Sequence, residues 1–280
     1  FNKFKFLKEN TLSFKDSSII MGILNVTPDS FFDGGKYTQL DRAINQSKKM
    51  IDEGAKIIDI GGESSRPFSK SISVQDEIKR VLPVIEALKS EINIPISIDT
   101  TKFEVAKESI NAGASIINDI SALRGDDRMS SLAADKNVYV VLMHMKGTPE
   151  NMQIKPNYNN IITEIKSFLS NRISFAKKKG ISSEKLIIDP GLGFGKSVRH
   201  NYLILNKLSE FLDLNCPILV GSSRKSFIGK ILKSDSDRLF GTAATIAISI
   251  LRGAKIVRVH DVKQIKEVIE ISDAIASAKE

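Results

Sequence analysis

Ile19-Ile20-Met21-Gly22-Ile23-Leu24 is an unbroken apolar run that ends on a polar residue, Asn25. It is short for a helix and lacks the polar alternation of a half-solvated strand, so it reads as a strand buried on both faces. Similar runs occupy 57–60, 94–98, 115–117, 138–143, 186–188, 218–220 and 256–259. Longer segments with helical spacing separate them, for example Val74, Ile78, Val81, Leu82, Ile85 and Leu88 on one face. Pro83 interrupts that face and is expected to kink the helix or to open its second half. Eight strand-like runs, each followed by a helix-like stretch, fit an α/β fold of the (β/α)8 TIM barrel type better than an open sheet. Ahead of the first strand, Phe4, Phe6, Leu12 and Phe14 flank Glu9-Asn10, which reads as an N-terminal β-hairpin over 1–17 that plugs the barrel bottom. No Gly/Pro/Ser-rich linker divides the chain, so a single domain over 1–280 is expected. The chain opens on Phe1 rather than Met, which fits trimming or excision from a longer polypeptide.

Of the 280 residues, 41% are apolar and 26% charged, which excludes disordered, collagen-like and disulfide-scaffold classes. The longest apolar stretch, 243–251, contains Thr245 and Ser249 and stops at Arg252, far short of a membrane span. The opening Phe1-Asn2-Lys3-Phe4-Lys5-Phe6 alternates like a strand, not like a secretory leader. The one cysteine, Cys216, has no partner for an internal disulfide and fits a reducing compartment. A cytoplasmic protein without a membrane partner is the expectation. The net charge of +8 is scattered, with Lys177-Lys178-Lys179 before Gly180 as its one run. That run suits a helix C-terminus. With no Trp, four Tyr and no recognisable nucleic-acid module, charge alone supports an RNA-binding reading, and no nucleic-acid partner is expected.

Polar residues sit at the carboxyl end of nearly every run: Asn25, Asp59 with Glu63, Asp99, Asn118 with Asp119, His144, Asp189, Ser223 with Lys225, and Arg258 with His260. In a parallel barrel these positions all meet at the rim where such folds build their sites. Helix N-capping is the competing explanation for the Asp, Asn and Ser members, and Asp119 is its best candidate. Capping explains Lys225, Arg258 and His260 poorly, because cations are disfavoured at a helix start.

The loop Gly191-Leu192-Gly193-Phe194-Gly195-Lys196-Ser197 misses the phosphate-loop pattern, since Pro190 stands where its first glycine belongs. Lys196 likewise replaces the third glycine of a dinucleotide fingerprint. A backbone that approaches a flat ligand closely fits the loop better. Asn25-Val26-Thr27 matches a glycosylation acceptor, but Pro28 and the cytosolic reading oppose that use. No clustered His/Cys metal site is visible; a hard cation such as Mg2+ needs only one or two protein oxygens beside substrate phosphates. Cys216, ahead of Pro217 at a strand entry, reads as a small buried apolar residue, and no serine occupies a nucleophile elbow.

These motifs resemble, in order, those of the dihydropteroate synthase family. Met21-Gly22-Ile23-Leu24-Asn25-Val26-Thr27-Pro28-Asp29-Ser30-Phe31 is similar to its first signature, and Asp59-Ile60-Gly61-Gly62-Glu63-Ser64-Ser65-Arg66-Pro67 to its second. Ser97-Ile98-Asp99-Thr100, Ile117-Asn118-Asp119-Ile120, Leu142-Met143-His144-Met145 and Asp189-Pro190-Gly191-Leu192-Gly193-Phe194-Gly195-Lys196 follow. Gly221-Ser222-Ser223-Arg224-Lys225-Ser226 and Ile256-Val257-Arg258-Val259-His260-Asp261-Val262 complete the set. The family, a group of transferases in folate biosynthesis and sulfonamide targets, condenses 6-hydroxymethyl-7,8-dihydropterin pyrophosphate with p-aminobenzoate.

The resemblance implies that Asp99, Asn118 and Asp189 hold the pterin edge, with Lys225 on its polar ring atoms and Met143 and Gly193 flanking the ring. It assigns the pyrophosphate to Asn25, Arg258 and His260, with Asn25 also reaching Mg2+. Lys225, Arg258, His260 and Asp99 are the residues expected to carry catalysis. Segments 27–37 and 64–73 correspond to two mobile loops that close over the site, and Ser65, Arg66, Pro67, Phe194, Ser223 and Lys225 match the lining of the p-aminobenzoate pocket. Ser65 stands where threonine is common and Phe68 where glycine is common. The resemblance further implies a homodimer. A methyltetrahydrofolate-type methyltransferase barrel and a non-catalytic pterin-binding barrel are the alternatives. The Ser223-Arg224-Lys225 and Arg258-Val259-His260 pairings favour the synthase, because a methyltransferase has no pyrophosphate to hold.

Overall fold

The computed structural model describes residues 12–14, 17–27, 36–232 and 238–278. Its eight strands, all parallel, close into a barrel in sequence order. They are β1 (Ile19–Asn25), β2 (Ile57–Gly61), β3 (Ile96–Asp99), β4 (Ile116–Asp119), β5 (Tyr139–Met143), β6 (Leu186–Asp189), β7 (Ile218–Val220) and β8 (Ala254–Val259). One α-helix follows each of the first six strands: α1 (Lys36–Asp52), α2 (Val74–Glu91), α3 (Phe103–Ala112), α4 (Arg128–Lys136), α5 (Ile161–Lys178) and α6 (Val198–Asn206). Both α7 (Ser226–Leu232) and α8 (Leu239–Leu251) fall between β7 and β8, and α9 (Val262–Ser277) closes the order. This is the (β/α)8 barrel the apolar runs predict.

The pleat divides each run between two cores. Ile19, Met21, Ile57, Ile116, Tyr139, Val141, Ile187, Leu219 and Ile256 fill the barrel interior. Their neighbours Ile20, Leu24, Ile58, Ile60, Ile98, Val257 and Val259 pack outward under the helices. Two residues beyond the inner positions, still on the inward phase, come Asp59, Asn118, Met143, Asp189 and Arg258. The floor is closed by Leu12 and Phe14, which pack against the inner cluster, and the Leu12 N–H donates to the Tyr139 hydroxyl at 2.9 Å. The rest of the expected 1–17 hairpin lies outside the described residues.

Helix α2 departs from one sequence expectation and adds a residue the sequence did not flag. It runs unbroken through Pro83, which sits on its exposed side, so the second half does not start there. Its inner face also carries a carboxylate, Glu77, fully buried beside Val81, Val84, Ile85 and Leu88. Lys177 and Lys178 do end α5, with Gly180 in the left-handed region just beyond, and Cys216 is buried. No described helix is long and apolar enough to cross a membrane. Helix α8 is apolar on its exposed side too, where Phe240, Ala244, Ile248 and Leu251 form a stripe.

Candidate active site

The strand register determines which polar residues meet. Ile23 pairs with Asp59, Gly61 with Asp99, Asp99 with Asn118, and Met143 with Asp189, so these strand ends lie at similar depth around the mouth. Arg258 enters from β8. Its Nε donates to Asp59 Oδ2 at 2.6 Å and its Nη2 to Asp99 Oδ2 at 2.8 Å. Asn118 Nδ2 donates to the same Asp59 oxygen at 3.1 Å. Asp59 is fully buried, and its second oxygen, Oδ1, has no hydrogen-bond partner among the described residues. Burial raises the Asp99 carboxyl to about 7, against the opposing pull of Arg258 and with a push from Asp59.

The opposite side of the mouth is built by β6 and the residues after β7. Asp189 is buried, accepts the Gly191 N–H at 2.7 Å, and is raised by desolvation while Lys225 pulls it down. Lys225 Nζ donates to the Leu192 carbonyl and lies 4.6 Å from the centre of the Phe194 ring. Burial lowers its ammonium to about 8, and Asp189 counters that shift. Asp99, Asp189, Lys225 and Arg258 therefore share one electrostatic field. Ser223 Oγ lies 2.9 Å from His260 Nδ1 and accepts the His260 backbone N–H at 3.2 Å. A neutral His260 that accepts the serine proton at Nδ1 carries its own on Nε2. Burial first, then Arg258 and Arg224, hold it neutral by lowering it to about 4.

The glycine-rich loop is shaped for close backbone approach. Gly191 and Gly193 have φ of 70° and 81°. A Cβ on Gly191 would fall inside the His144 carbonyl oxygen, and one on Gly193 would crowd the Lys225 stem at 3.1 Å. Gly193 donates to Asn201 Oδ1 at 2.6 Å and accepts from Gln153 Nε2 at 2.5 Å. Met143 packs with Met145, Met152 and Phe194 into an apolar wall. Asn25 ends β1 opposite Gly61, which in turn faces Asp99.

Not every strand-end residue reaches the mouth. Asp119 accepts the backbone N–H groups of Ser121 and Leu123, both at 2.7 Å, and caps the turn after β4 rather than a helix. His144, one residue out of the inward phase, packs edge-on against Phe168 of α5 and meets buried Lys196 Nζ at 3.0 Å. Arg224 turns outward to Asp261 at 2.9 Å from Nε, unlike its neighbours Ser223 and Lys225. Ser65, Arg66 and Pro67 lie in the β2–α2 loop; no hydrogen bond among the described residues joins them to the carboxylate network, although the charge of Arg66 contributes to the lowering of His260. Phe68 has φ of 65° and donates its N–H to the Pro149 carbonyl at 2.9 Å, a left-handed position that glycine accepts without strain. Most of the 27–37 loop is outside the described residues. The reading from strand ends gave Asp59 no specific role, and nothing in the sequence flagged Lys102, Gln153 or Asn201.

Residues 21–260 match the family described as pterin binding enzyme. The dihydropteroate synthase of Bacillus subtilis is 47% identical over 269 residues, covering 96% of this chain and 92% of that one. That of Escherichia coli K12 is 47% identical over 262 residues, covering 93% of each. The chain belongs to the dihydropteroate synthase family. A Yersinia pestis dihydropteroate synthase in a sulfonamide drug complex superposes with a TM-score of 0.89 at 44% identity, over 95% of this chain and 97% of that one. The Xanthomonas albilineans synthase with 4-aminobenzoic acid gives 0.89 at 39%, over 96% of both chains. Like these synthases, the chain is a transferase of folate synthesis, which removes the methyltransferase and non-catalytic readings.

Asp59→Ala would leave Arg258 with one carboxylate partner in a buried layer. Because Asp99 still partners it, Arg258 loses one charged hydrogen bond rather than all its compensation, and stability should fall by about 2 kcal/mol in urea unfolding. An unchanged midpoint would mean the Arg258 bridge is mechanically idle.

Proposed function

We infer that the barrel mouth joins p-aminobenzoate to 6-hydroxymethyl-7,8-dihydropterin pyrophosphate, releasing pyrophosphate and forming 7,8-dihydropteroate. The observation that carries this assignment is the pairing of acceptors and cations in one mouth: Asp59, Asp99, Asn118 and Asp189 alongside Arg258 and Lys225. A pterin presents several N–H donors along one edge, which ionised Asp99 and Asp189 and the Asn118 amide oxygen would accept. Lys225 would hold a polar ring atom, with Met143 and Gly193 against the ring faces. A similar synthase, that of Xanthomonas albilineans, is known in complex with 7,8-dihydropteroate, which supports a pterin ligand for this fold.

Arg258 is the group we assign to the pyrophosphate, with Asn25 and His260 beside it. Its Nη1 takes no part in the two carboxylate bonds, so it can meet a phosphate oxygen while Asp59 and Asp99 hold it in place. His260, neutral, would donate from Nε2. As the carbon–oxygen bond breaks, the electron pair leaves with the pyrophosphate, and fixed donors aimed at that oxygen stabilise the charge as it builds. The neutral amine of p-aminobenzoate then forms the new carbon–nitrogen bond and loses a proton to solvent. No protein nucleophile is required.

Mg2+ fits this donor set as a cation held chiefly by the substrate. No group of three acidic, His or Cys side chains among the described residues forms a metal cage. An Asn25 oxygen plus phosphate oxygens and water satisfies Mg2+ without one. When bound, the ion supplies charge neutralisation on the leaving group. Ser65, Arg66, Pro67, Phe194 and Ser223 would line the p-aminobenzoate pocket, where a sulfonamide would also bind. Closure over it protects a reactive cation from water.

We also propose a homodimer through α8. A helix apolar all round belongs inside an assembly, and the exposed stripe of Phe240, Ala244, Ile248 and Leu251 continues into Ile231 and Leu232 of α7. A second copy of this chain offers the same stripe, and the two would bury each other. Phe240→Asp should convert the species seen by analytical ultracentrifugation to a monomer; a wild-type monomer would end the proposal.

Purified protein should make 7,8-dihydropteroate from the pterin pyrophosphate and p-aminobenzoate only when Mg2+ is present. Asp189→Asn, which removes the charge and replaces one of two acceptor oxygens with an NH2 donor, should lower kcat/KM at least 100-fold, about 2.7 kcal/mol, and Lys225→Ala comparably. Pterin binding without product under every metal condition would contradict the assignment.

The pH profile follows from the same groups. Asp99 must be ionised to accept a pterin N–H, so kcat/KM for the pterin substrate should fall as pH drops through about 7. Lys225 must be protonated, so it should fall again as pH rises through about 8. A flat profile from pH 6 to 9 would remove these two residues from binding.

A further inference from the structure

A second charge cluster lies outside the mouth, beneath the β2–α2 loop. Lys102, three residues after Asp99 and at the entry to α3, directs Nζ to three acceptors: Glu63 Oε2 at 3.2 Å, the Ile72 carbonyl at 2.9 Å and Glu77 Oε2 at 2.6 Å. Glu63 and Ile72 are the two feet of the loop, and they also bond directly, the Ile72 N–H donating to Glu63 Oε1 at 2.7 Å. Glu77 is fully buried in the first turn of α2, and its Oε1 has no hydrogen-bond partner among the described residues. Arg80 Nη1 holds the Gly62 carbonyl at 2.8 Å, just ahead of the first foot.

Packing alone does not explain this arrangement. A buried ion pair is an expensive way to fill volume, and an apolar pair often does as well or better. What the charges add is direction, because one ammonium surrounded by three fixed acceptors sets the distance between the elements that carry them. Those elements are the end of β2, the approach to α2, the first turn of α2 and the approach to α3. The last of these follows the strand that ends in Asp99.

We propose that Lys102 is a positioning residue for the second substrate: with Glu63 it clamps both feet of the 64–71 loop, so that the loop moves as one unit and returns Ser65, Arg66 and Pro67 to one place. This rests on the assignment of that loop to the p-aminobenzoate pocket. Among the described residues the clamp makes no hydrogen bond to the pterin acceptors or to Arg258. Its link to them is the charge of Glu77, which helps raise the Asp99 carboxyl. Glu63→Ala keeps Glu77 and so reads capture of the amine apart from pterin binding.

Two variants loosen the clamp in different ways. Glu63→Ala removes the strap between the feet and keeps the Lys102–Glu77 pair. Lys102→Met with Glu77→Met removes both buried charges together, so neither is stranded. Glu63 is partly exposed, which keeps the test alive if the double variant does not fold. In both, KM for p-aminobenzoate should rise about fivefold or more, and in Glu63→Ala, where the charge of Glu77 beside Asp99 is kept, KM for the pterin substrate and kcat should stay within about twofold. Limited trypsin digestion should cut faster after Lys70, inside the loop; the Arg66–Pro67 bond resists trypsin and does not confuse the reading. Unchanged KM for p-aminobenzoate and an unchanged cutting rate in both variants would overturn the clamp. An equal rise in both KM values with a fall in kcat in Glu63→Ala would overturn it too, marking the cluster as general scaffold. Arg66→Ala separates the two layers of the argument. If it leaves KM for p-aminobenzoate unchanged, the loop assignment itself fails; if it raises that KM while the clamp variants do not, the clamp alone fails.

Discussion

Arg258, held between Asp59 and Asp99, is the interaction on which the rest of the mouth depends. The guanidinium leaves β8, crosses β1 and reaches β2 and β3, so its two bonds exist only if the barrel closes in the observed register. Met21, filling the inner core on β1, is its register partner. A one-residue slip of β8 would exchange Arg258 for Val257 or Val259 and turn the charge outward among the helices. Apolar packing below and ion pairing above thus enforce the same register.

That network also explains how one small mouth can serve a flat heterocycle and a diphosphate. Without substrate, its carboxylates and cations neutralise one another, which reduces the cost of keeping so many charges from water. A pterin edge offers donors to the carboxylates, and a pyrophosphate offers oxygens to the cations, so both halves gain partners from one molecule. Asp99 and Lys225 are held near neutral pH by opposing burial and Coulomb effects, and a modest change in surroundings moves their protonation. Sensitivity of this kind belongs to binding groups. His144 and Lys196 show the contrast: both are driven toward neutrality by burial, and they meet each other and backbone carbonyls behind the mouth.

The fold was legible because parallel strands buried on both faces leave short Ile- and Val-rich runs, and each of the eight runs became a strand. The inward side chains were legible only in part. Position at a strand end does not say which phase of the pleat a residue occupies, so His144 and Asp119 looked equivalent to Asp189 and Asn118. Counting in twos from the inner core separates them, but that count needs to know which residues are inner. Glu77 was invisible for a related reason: it falls on the helix face read as apolar, and its partner Lys102 is 25 positions away. Long-range pairs of this kind follow from topology, which local spacing does not encode.

The wall facing the proposed amine pocket derives its shape from loops holding loops. Phe68 of the β2–α2 loop donates to Pro149, in the segment after β5. Gln153 of that same segment holds the Gly193 carbonyl, and Tyr158 holds that of Gly195 at 2.8 Å. Lys196 ties the Phe194 carbonyl at 2.9 Å back to the end of β5. The chain of bonds therefore runs from Phe68 through Pro149 and Gln153 to the loop that bears Phe194. A left-handed phenylalanine costs on the order of 1 kcal/mol, and one backbone bond to Pro149 offsets about that much. The Phe68–Pro149 contact thus adds little net hold on the 64–71 loop, whereas the segment bearing Phe194 is tied on both sides by Gln153, Tyr158 and Lys196. Of the two sides of the proposed amine pocket, the one that bears Phe194 is the more firmly held.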